Sequence, residues 1–127
     1  MTDDVVLPDG NPKTRMGAAK PGVFLVPPLA ILEMGRVFVL GAKKYGPYNW
    51  RGEKVSYSTY YNAAHRHLAM SLDGENLDPE SGVSHLAHVM CCMAIIVDAS
   101  ACGMLIDDRP MEGATSEYLV AHTKALT

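Results

Sequence analysis

The 127-residue chain is short of basic charge: 11 Lys and Arg stand against 14 Asp and Glu, a formal net charge of −3. Generic nucleic-acid binding needs a cation surplus, so that class is set aside; a small anion held by a local cation cluster or a metal ion is not. Cysteine is scarce too, with only Cys91, Cys92 and Cys102. An odd number with two adjacent makes a poor disulfide framework, and the C-x-x-C spacing of a zinc knuckle is missing. Buried thiols in a reducing cytosol are the expectation. Every apolar stretch is interrupted by His, Asp or Arg well short of a membrane span, which leaves no membrane role to expect. The N-terminus is acidic and Pro-rich rather than basic then apolar, so it does not read as a secretory signal. Internal repeats and convincing strand alternation are also lacking.

What remains is an ordinary globular composition, 48% apolar and 20% charged, in a length that suits one domain. Residues 1–28 carry five prolines with three glycines between them and read as an extended arm. Within it Val23–Val26 suggests a short extended piece, and Lys13-Thr14-Arg15 is either a solvated stretch or a flap that reaches a phosphate. Residues 29–127 read as a single helical domain. Pro28 suits a first turn, and a helix over about 29–42 is apolar almost all round, so it should be buried among others. Glu33 and Arg36 are its exceptions, three apart on one face. Gly41 and Gly46 bracket Lys43-Lys44-Tyr45 and open a loop through Asn49 and Trp50. A second helix over about 58–72, capped by Ser56 or Ser58, contains His65, Arg66 and His67. Asp78-Pro79 signals the start of a third, running from about 79 to 102 and stopping at Gly103. A shorter helix closes the chain near 116–125. The fold class is all-α, a helical bundle.

On a third helix with that start, Glu80, Ser81, Ser84, His85 and His88 share one polar stripe inside an otherwise apolar element. Unpaired, such a stripe is costly to bury. Three arrangements satisfy it: a polar network between helices, a hard divalent cation held by carboxylates from Glu33, Glu75, Asp78 and Glu80, or a softer His-rich site for zinc or manganese. The loop after the first helix supplies the opposite chemistry. Lys43 and Lys44 are point charges for phosphates, although Lys before Gly is also routine helix capping, and Tyr45, Asn49 and Trp50 can contact a base. Arg66 on the second helix is a further cation for a carboxylate or phosphate, and His67 can orient or protonate.

The run Gly41-Ala-Lys-Lys-Tyr-Gly46, then Asn49-Trp50, Ala64-His-Arg-His-Leu68, Gly74-Glu-Asn-Leu-Asp-Pro-Glu-Ser-Gly82 and His85-Leu-Ala-His88 resembles the phage dATP/dGTP diphosphohydrolase family of MazG-like proteins. The resemblance implies an all-α NTP pyrophosphohydrolase, a purine nucleoside triphosphate substrate, Mg²⁺ or Mn²⁺, a homo-oligomer (dimer or tetramer) and the host cytoplasm. On that basis Lys44, Arg66 and His67 would be catalytic. Lys43, Tyr45, Asn49 and Trp50 would bind nucleotide, and Glu33, Glu75, Asp78, Glu80, His85 and His88 the metal. The chain departs from the MazG pattern in three places. E-x-x-E becomes Glu33-Met-Gly-Arg36; the literal E-x-x-D, Glu75-Asn-Leu-Asp78, is followed by Pro79; and His85-Leu-Ala-His88 stands where relatives read E-L-A-D. Two rivals follow from the residues: a His/Asp-type metal phosphohydrolase using His67, His85 and His88, and a non-catalytic helical module that binds nucleotide.

Overall fold

A computed structural model describes residues 9–125 of the chain. Its elements run α1 (Pro12–Ala18), α2 (Pro28–Tyr45), α3 (Asn49–Gly52), β1 (Val55–Ser56), α4 (Tyr57–Leu72), α5 (His85–Ala101), β2 (Leu105–Ile106) and α6 (Thr115–His122). The all-α expectation holds, with one minute strand pair added. α2 begins at Pro28, whose fixed φ suits a first turn, and ends at Gly46 with φ 88° and ψ 150°, a region that a side chain resists. Lys43 and Lys44 occupy its last turn, at the negative end of the helix dipole. α4 and α5 form the largest helix pair, and α2 lies against α5. Small buried residues, Ala64 on α4 and Ala87, Cys91 and Ala99 on α5, let these helices approach closely.

The end of α5 decides how α4 begins. Gly103 turns at φ 70°, and the N–H groups of Gly103 and Met104 close on the Ser100 and Ala99 carbonyls at 3.2 and 2.8 Å. That reversal lays β2 parallel to β1, with Val55 opposite Leu105. Asp108 thereby reaches the start of α4, where Oδ1 accepts the Ser58 N–H at 2.9 Å and Oδ2 accepts the Ser58 hydroxyl. The local cap expected from the serines does not form. Ser56 makes no side-chain capping bond, and the orphan donor is satisfied from 50 positions away.

Four expectations are corrected. The third helix starts at His85 rather than near Pro79. Asp78 Oδ1 accepts the Glu80 N–H at 2.9 Å in an Asx turn, Gly82 sits at φ 72°, and Leu77 bridges Ser84 in antiparallel fashion. Positive φ at Gly82 forbids a continuous helix, and Ser84 is the cap, its Oγ accepting the Leu86 N–H at 3.1 Å. Glu80, Ser81 and Ser84 therefore precede the helix, and the expected stripe reduces to His85 and His88. In the arm, Asn11 caps the short helix α1 by accepting the Lys13 N–H at 2.9 Å, where an extended stretch was expected. Val23–Leu25 form a 3-10 turn, not an extended piece; residues 1–8 lie outside the described residues. Finally, α2 is not enclosed: Leu29 is 72% and Leu32 68% exposed, because α5 is its chief neighbour. Among the described residues, no helix is long and apolar enough to cross a membrane.

Candidate functional site

The C-terminal half of α2, the middle of α4 and the segment from Asp78 into α5 surround a cavity of about 800 Å³. Val37, Leu40, Gly41 and Met70 supply its apolar wall, and Lys44, Arg66, His67, Asp78, Glu80, Ser81 and His88 its polar one. The helical period explains the α2 contribution, since 37, 40, 41 and 44 recur at steps of three and four and so face one way. Lys44 Nζ stands 3.8 Å from Glu80 Oε1, both largely in solvent.

Two imidazoles and one carboxylate converge inside. His67, Asp78 and His88 each place one possible ligand atom so that all three lie within 4.8 Å of one another. The His67 and His88 rings stack at 4.5 Å, nearly parallel at 8°. His88 Nε2 lies 2.8 Å from Ser81 Oγ and 3.5 Å from Asp78 Oδ2. Burial pushes both histidines below their ordinary value; each is opposed by Asp78, and His67 is pushed further by His88. Both rings are therefore neutral near pH 7, and the His88–Asp78 contact is a polar contact of a neutral ring rather than an ion pair. Behind His67, its Nδ1 meets His85 Nδ1 at 2.8 Å, and His85 Nε2 meets Glu75 Oε1 at 2.7 Å. His85 has no solvent exposure, and this pairing satisfies both its ring nitrogens.

A second cavity, of about 590 Å³, shares Val37, Gly41 and Tyr45 with the first. Its lining includes Phe38, Tyr48, Asn49, Trp50, Arg51, Tyr60 and Asp98. Trp50 is only 7% exposed, wedged between Phe38 and Tyr48 at ring separations of 5.7 and 5.2 Å. Its indole N–H donates to Asp98 Oδ2 at 2.7 Å. Tyr48 holds a left-handed backbone (φ 54°) and carries the Arg51 guanidinium 4.5 Å over its ring. Tyr45 and Tyr48 are the exposed rings of this cavity.

The structure thus gathers Lys44, Arg66, His67, Asp78, Glu80 and His88 in the first cavity, and Tyr45, Asn49 and Trp50 in the second. Glu33 lines neither. It pairs with Arg36 Nη1 at 3.2 Å on its own helix, three turns before Lys44 along α2, about 16 Å by helical rise. Lys43 also lines neither cavity, and Lys13, Thr14 and Arg15 lie on α1 away from both. Glu75 and His85 stand behind the three convergent groups rather than among them. The leading sequence reading had His67 as a proton carrier, and only the rival His/Asp reading set it with His85 and His88 on a metal; neither placed it with Asp78. The sequence reading missed Tyr48 and Asp98 altogether. For His67 a signal existed, a His-x-His pair on the second helix, but its meaning depended on which helix lay opposite. For Asp98 the only signal was an acid inside an apolar helix.

A sequence profile of the family described as "dATP/dGTP diphosphohydrolase, N-terminal" matches residues 10–109. A dATP/dGTP diphosphohydrolase from Salmonella phage PMBT28 is 30% identical over 96 residues, which cover 76% of this chain. The match takes in 30% of the phage protein, so the chain spans under a third of that relative's length. No solved structure matches.

Proposed function

The chain belongs to the dATP/dGTP diphosphohydrolase N-terminal family, and on that premise we propose that it hydrolyses a purine deoxynucleoside triphosphate, dGTP foremost, to the monophosphate and pyrophosphate. The observation that supports this most is the single cavity in which Lys44 and Arg66 accompany His67, Asp78, Glu80 and His88. Cations for a polyphosphate and donors for a divalent ion occupy one space, contiguous with an aromatic cavity sized for a base. Neutral imidazoles and a carboxylate fit a cation, and His67, Asp78 and His88 would hold it; the family resemblance implies Mg²⁺ or Mn²⁺. When bound, such an ion neutralises phosphate oxygens and acidifies the attacking water. Lys44 and Arg66 stabilise the charge that builds on the departing pyrophosphate. Glu80, at the cavity rim and 3.8 Å from Lys44, is the carboxylate placed to accept the proton of that water. Tyr45 and Tyr48 offer faces on which a purine stacks. The substrate pool places this activity in the cytoplasm.

The test incubates the purified chain with dGTP, dATP and the ribonucleotides in Mn²⁺ or Mg²⁺ and separates products by chromatography. dGMP with pyrophosphate is the expected pair. The His67, Asp78 and His88 constellation also favours a second reading, a His/Asp-type phosphohydrolase, and release of intact tripolyphosphate would select it. Nucleotide binding without any turnover would make the chain a binding module of a longer enzyme, a role compatible with the limited share of the phage relative it matches.

Self-association belongs to the same reading. Phe24, Leu25, Leu29 and Leu32 are 98%, 79%, 72% and 68% exposed along the arm and α2, an apolar face of the kind that marks an interface. A second copy of the chain is the proposed occupant. Light scattering should report a dimer or tetramer, and a monomer at all concentrations would remove this part.

A further inference from the structure

Behind the three convergent groups lies a relay that hydrolysis at the cavity does not itself require. His85 is wholly buried at the first position of α5, with Glu75 on one nitrogen and His67 on the other. Glu75 Oε1 can only accept when ionised, so His85 Nε2 carries the proton donated at 2.7 Å. When that is the only proton on the His85 ring, its other nitrogen, Nδ1, is an acceptor, and His67 Nδ1, 2.8 Å away, donates to it. A neutral His67 protonated at Nδ1 has a bare lone pair at Nε2. Carboxylate, imidazole and imidazole in series thus fix the tautomer of the ring nearest Asp78 and His88. Ser81 Oγ accepts the Val83 N–H at 3.2 Å and meets His88 Nε2 at 2.8 Å, a contact that an ion on that nitrogen would displace.

Two imidazole nitrogens and one carboxylate are a poor match for Mg²⁺, which prefers an oxygen octahedron and keeps its waters. They suit first-row transition ions, with affinity rising from Mn²⁺ toward Co²⁺. We infer that His67, Asp78 and His88 form a binding site for a divalent transition ion in preference to Mg²⁺, with Glu75 and His85 as positioning residues that keep the His67 Nε2 lone pair free for it. The inference deepens the proposed hydrolysis by naming its ion, yet the ion binds whether or not a nucleotide is turned over.

The test uses the metal-stripped full chain without nucleotide. Co²⁺ is titrated by visible absorption, and Mn²⁺ and Mg²⁺ by calorimetry. One Co²⁺ per chain is expected, bound more tightly than Mn²⁺ and at least about tenfold more tightly than Mg²⁺. His88→Ala and Asp78→Asn should each weaken Co²⁺ by tenfold or more, the loop variant serving if the helical one fails to fold. Glu75→Ala, at a half-exposed position, should weaken Co²⁺ by about 10–100-fold while circular dichroism stays unchanged. Glu75→Gln keeps an acceptor oxygen and should recover much of that loss. Nitrogen-15 shifts of the metal-free parent should show His67 protonated at Nδ1 and bare at Nε2, with a mixture in Glu75→Ala. Equal affinity for Mg²⁺ and Co²⁺, Co²⁺ binding indifferent to Asp78 and His88, or a parent His67 protonated at Nε2 would each overturn the site. A chain that binds Co²⁺ as described but hydrolyses nothing sinks the hydrolysis and keeps the site; one that cleaves dGTP with Mg²⁺ and ignores Co²⁺ does the reverse.

Discussion

Arg51 and Asp98, 47 positions apart, close a two-pronged pair: Nε donates to Oδ2 at 2.8 Å and Nη2 to Oδ1 at 2.9 Å. With the Trp50 N–H on the same carboxylate, this pair pins α3 to α5 and shapes the wall of the aromatic cavity. A planar guanidinium matches a carboxylate in a way that lysine cannot.

The Arg51 guanidinium and the Trp50 indole hold the Asp98 carboxyl down at about 2. Because the folded value lies below the ordinary one of 3.8, the stabilisation is present above that value and is lost as pH falls toward about 2. Asp98→Asn should lower Tm at neutral pH, and the gap to the parent should narrow as melts are repeated from pH 6 down to pH 3. A gap independent of pH would show that the ionised pair contributes nothing.

Asp108 should matter to α4 more than either nearby serine at its start. Asp108→Ala removes the acceptor of the Ser58 N–H and hydroxyl, whereas Ser56 caps nothing with its side chain. Thermal melts should show a clear loss for Asp108→Ala and almost none for Ser56→Ala. Equal losses would mean that the distant cap is not what holds the helix start.

The three thiols should react in a set order. Burial pushes the Cys91 thiol up to about 12, and its S–H donates to the Met34 carbonyl at 3.3 Å. Cys92 is raised as well, chiefly by burial, while Cys102 is exposed. A chromogenic disulfide reagent at about pH 8 should find one fast thiol, removed by Cys102→Ser, with Cys91 labelled only on unfolding. Fast labelling of Cys91 in the folded protein would contradict its burial.

Lys44→Ala separates function from stability. Its contact with Glu80 spans 3.8 Å between largely exposed groups, so the loss of stability should stay below about 1 kcal/mol. If Lys44 faces the leaving pyrophosphate, kcat/KM for dGTP should fall by about 10²–10³-fold. A full rate in this variant would place the phosphates elsewhere.

Gly46→Ala should do the opposite. At φ 88° and ψ 150° the backbone suits glycine, so a Cβ costs roughly 1–3 kcal/mol of strain, although nothing lies within 4 Å to clash with it. Chemical denaturation reads this directly, and an unchanged midpoint would show that the loop relaxes.

Much of the fold was legible because its signals are local. Pro28 before an apolar run marked the start of α2, since a fixed φ acts within a turn, whereas the expected end near 42 fell short of Tyr45, because Gly41 continues the helix and Gly46 ends it. The start of α5 was misread because Asp78-Pro79 and Ser84 are both good caps, and only the positive φ of Gly82 separates them. The cations of the site were legible as a loop cluster, but Lys43 and Lys44 look alike in sequence, and the rotation of α2 alone sends Lys44 to the cavity. Glu33 was offered as a ligand although Arg36 stood three residues on along the same face, and the structure pairs the two.

By itself the sequence determined the helical class, the three long helices and the residue types from which a site can be made, because periodicity, capping and steric limits on φ operate over a few residues. Tertiary structure alone decided that His67 meets Asp78 and His88, that Glu75 and His85 stand behind them, and that Asp98 and Asp108 each anchor a segment some 50 positions away. Those contacts follow from how α4 seats on α5 and from the reversals at Gly82 and Gly103, and packing between distant segments leaves no mark in the neighbouring residues of either.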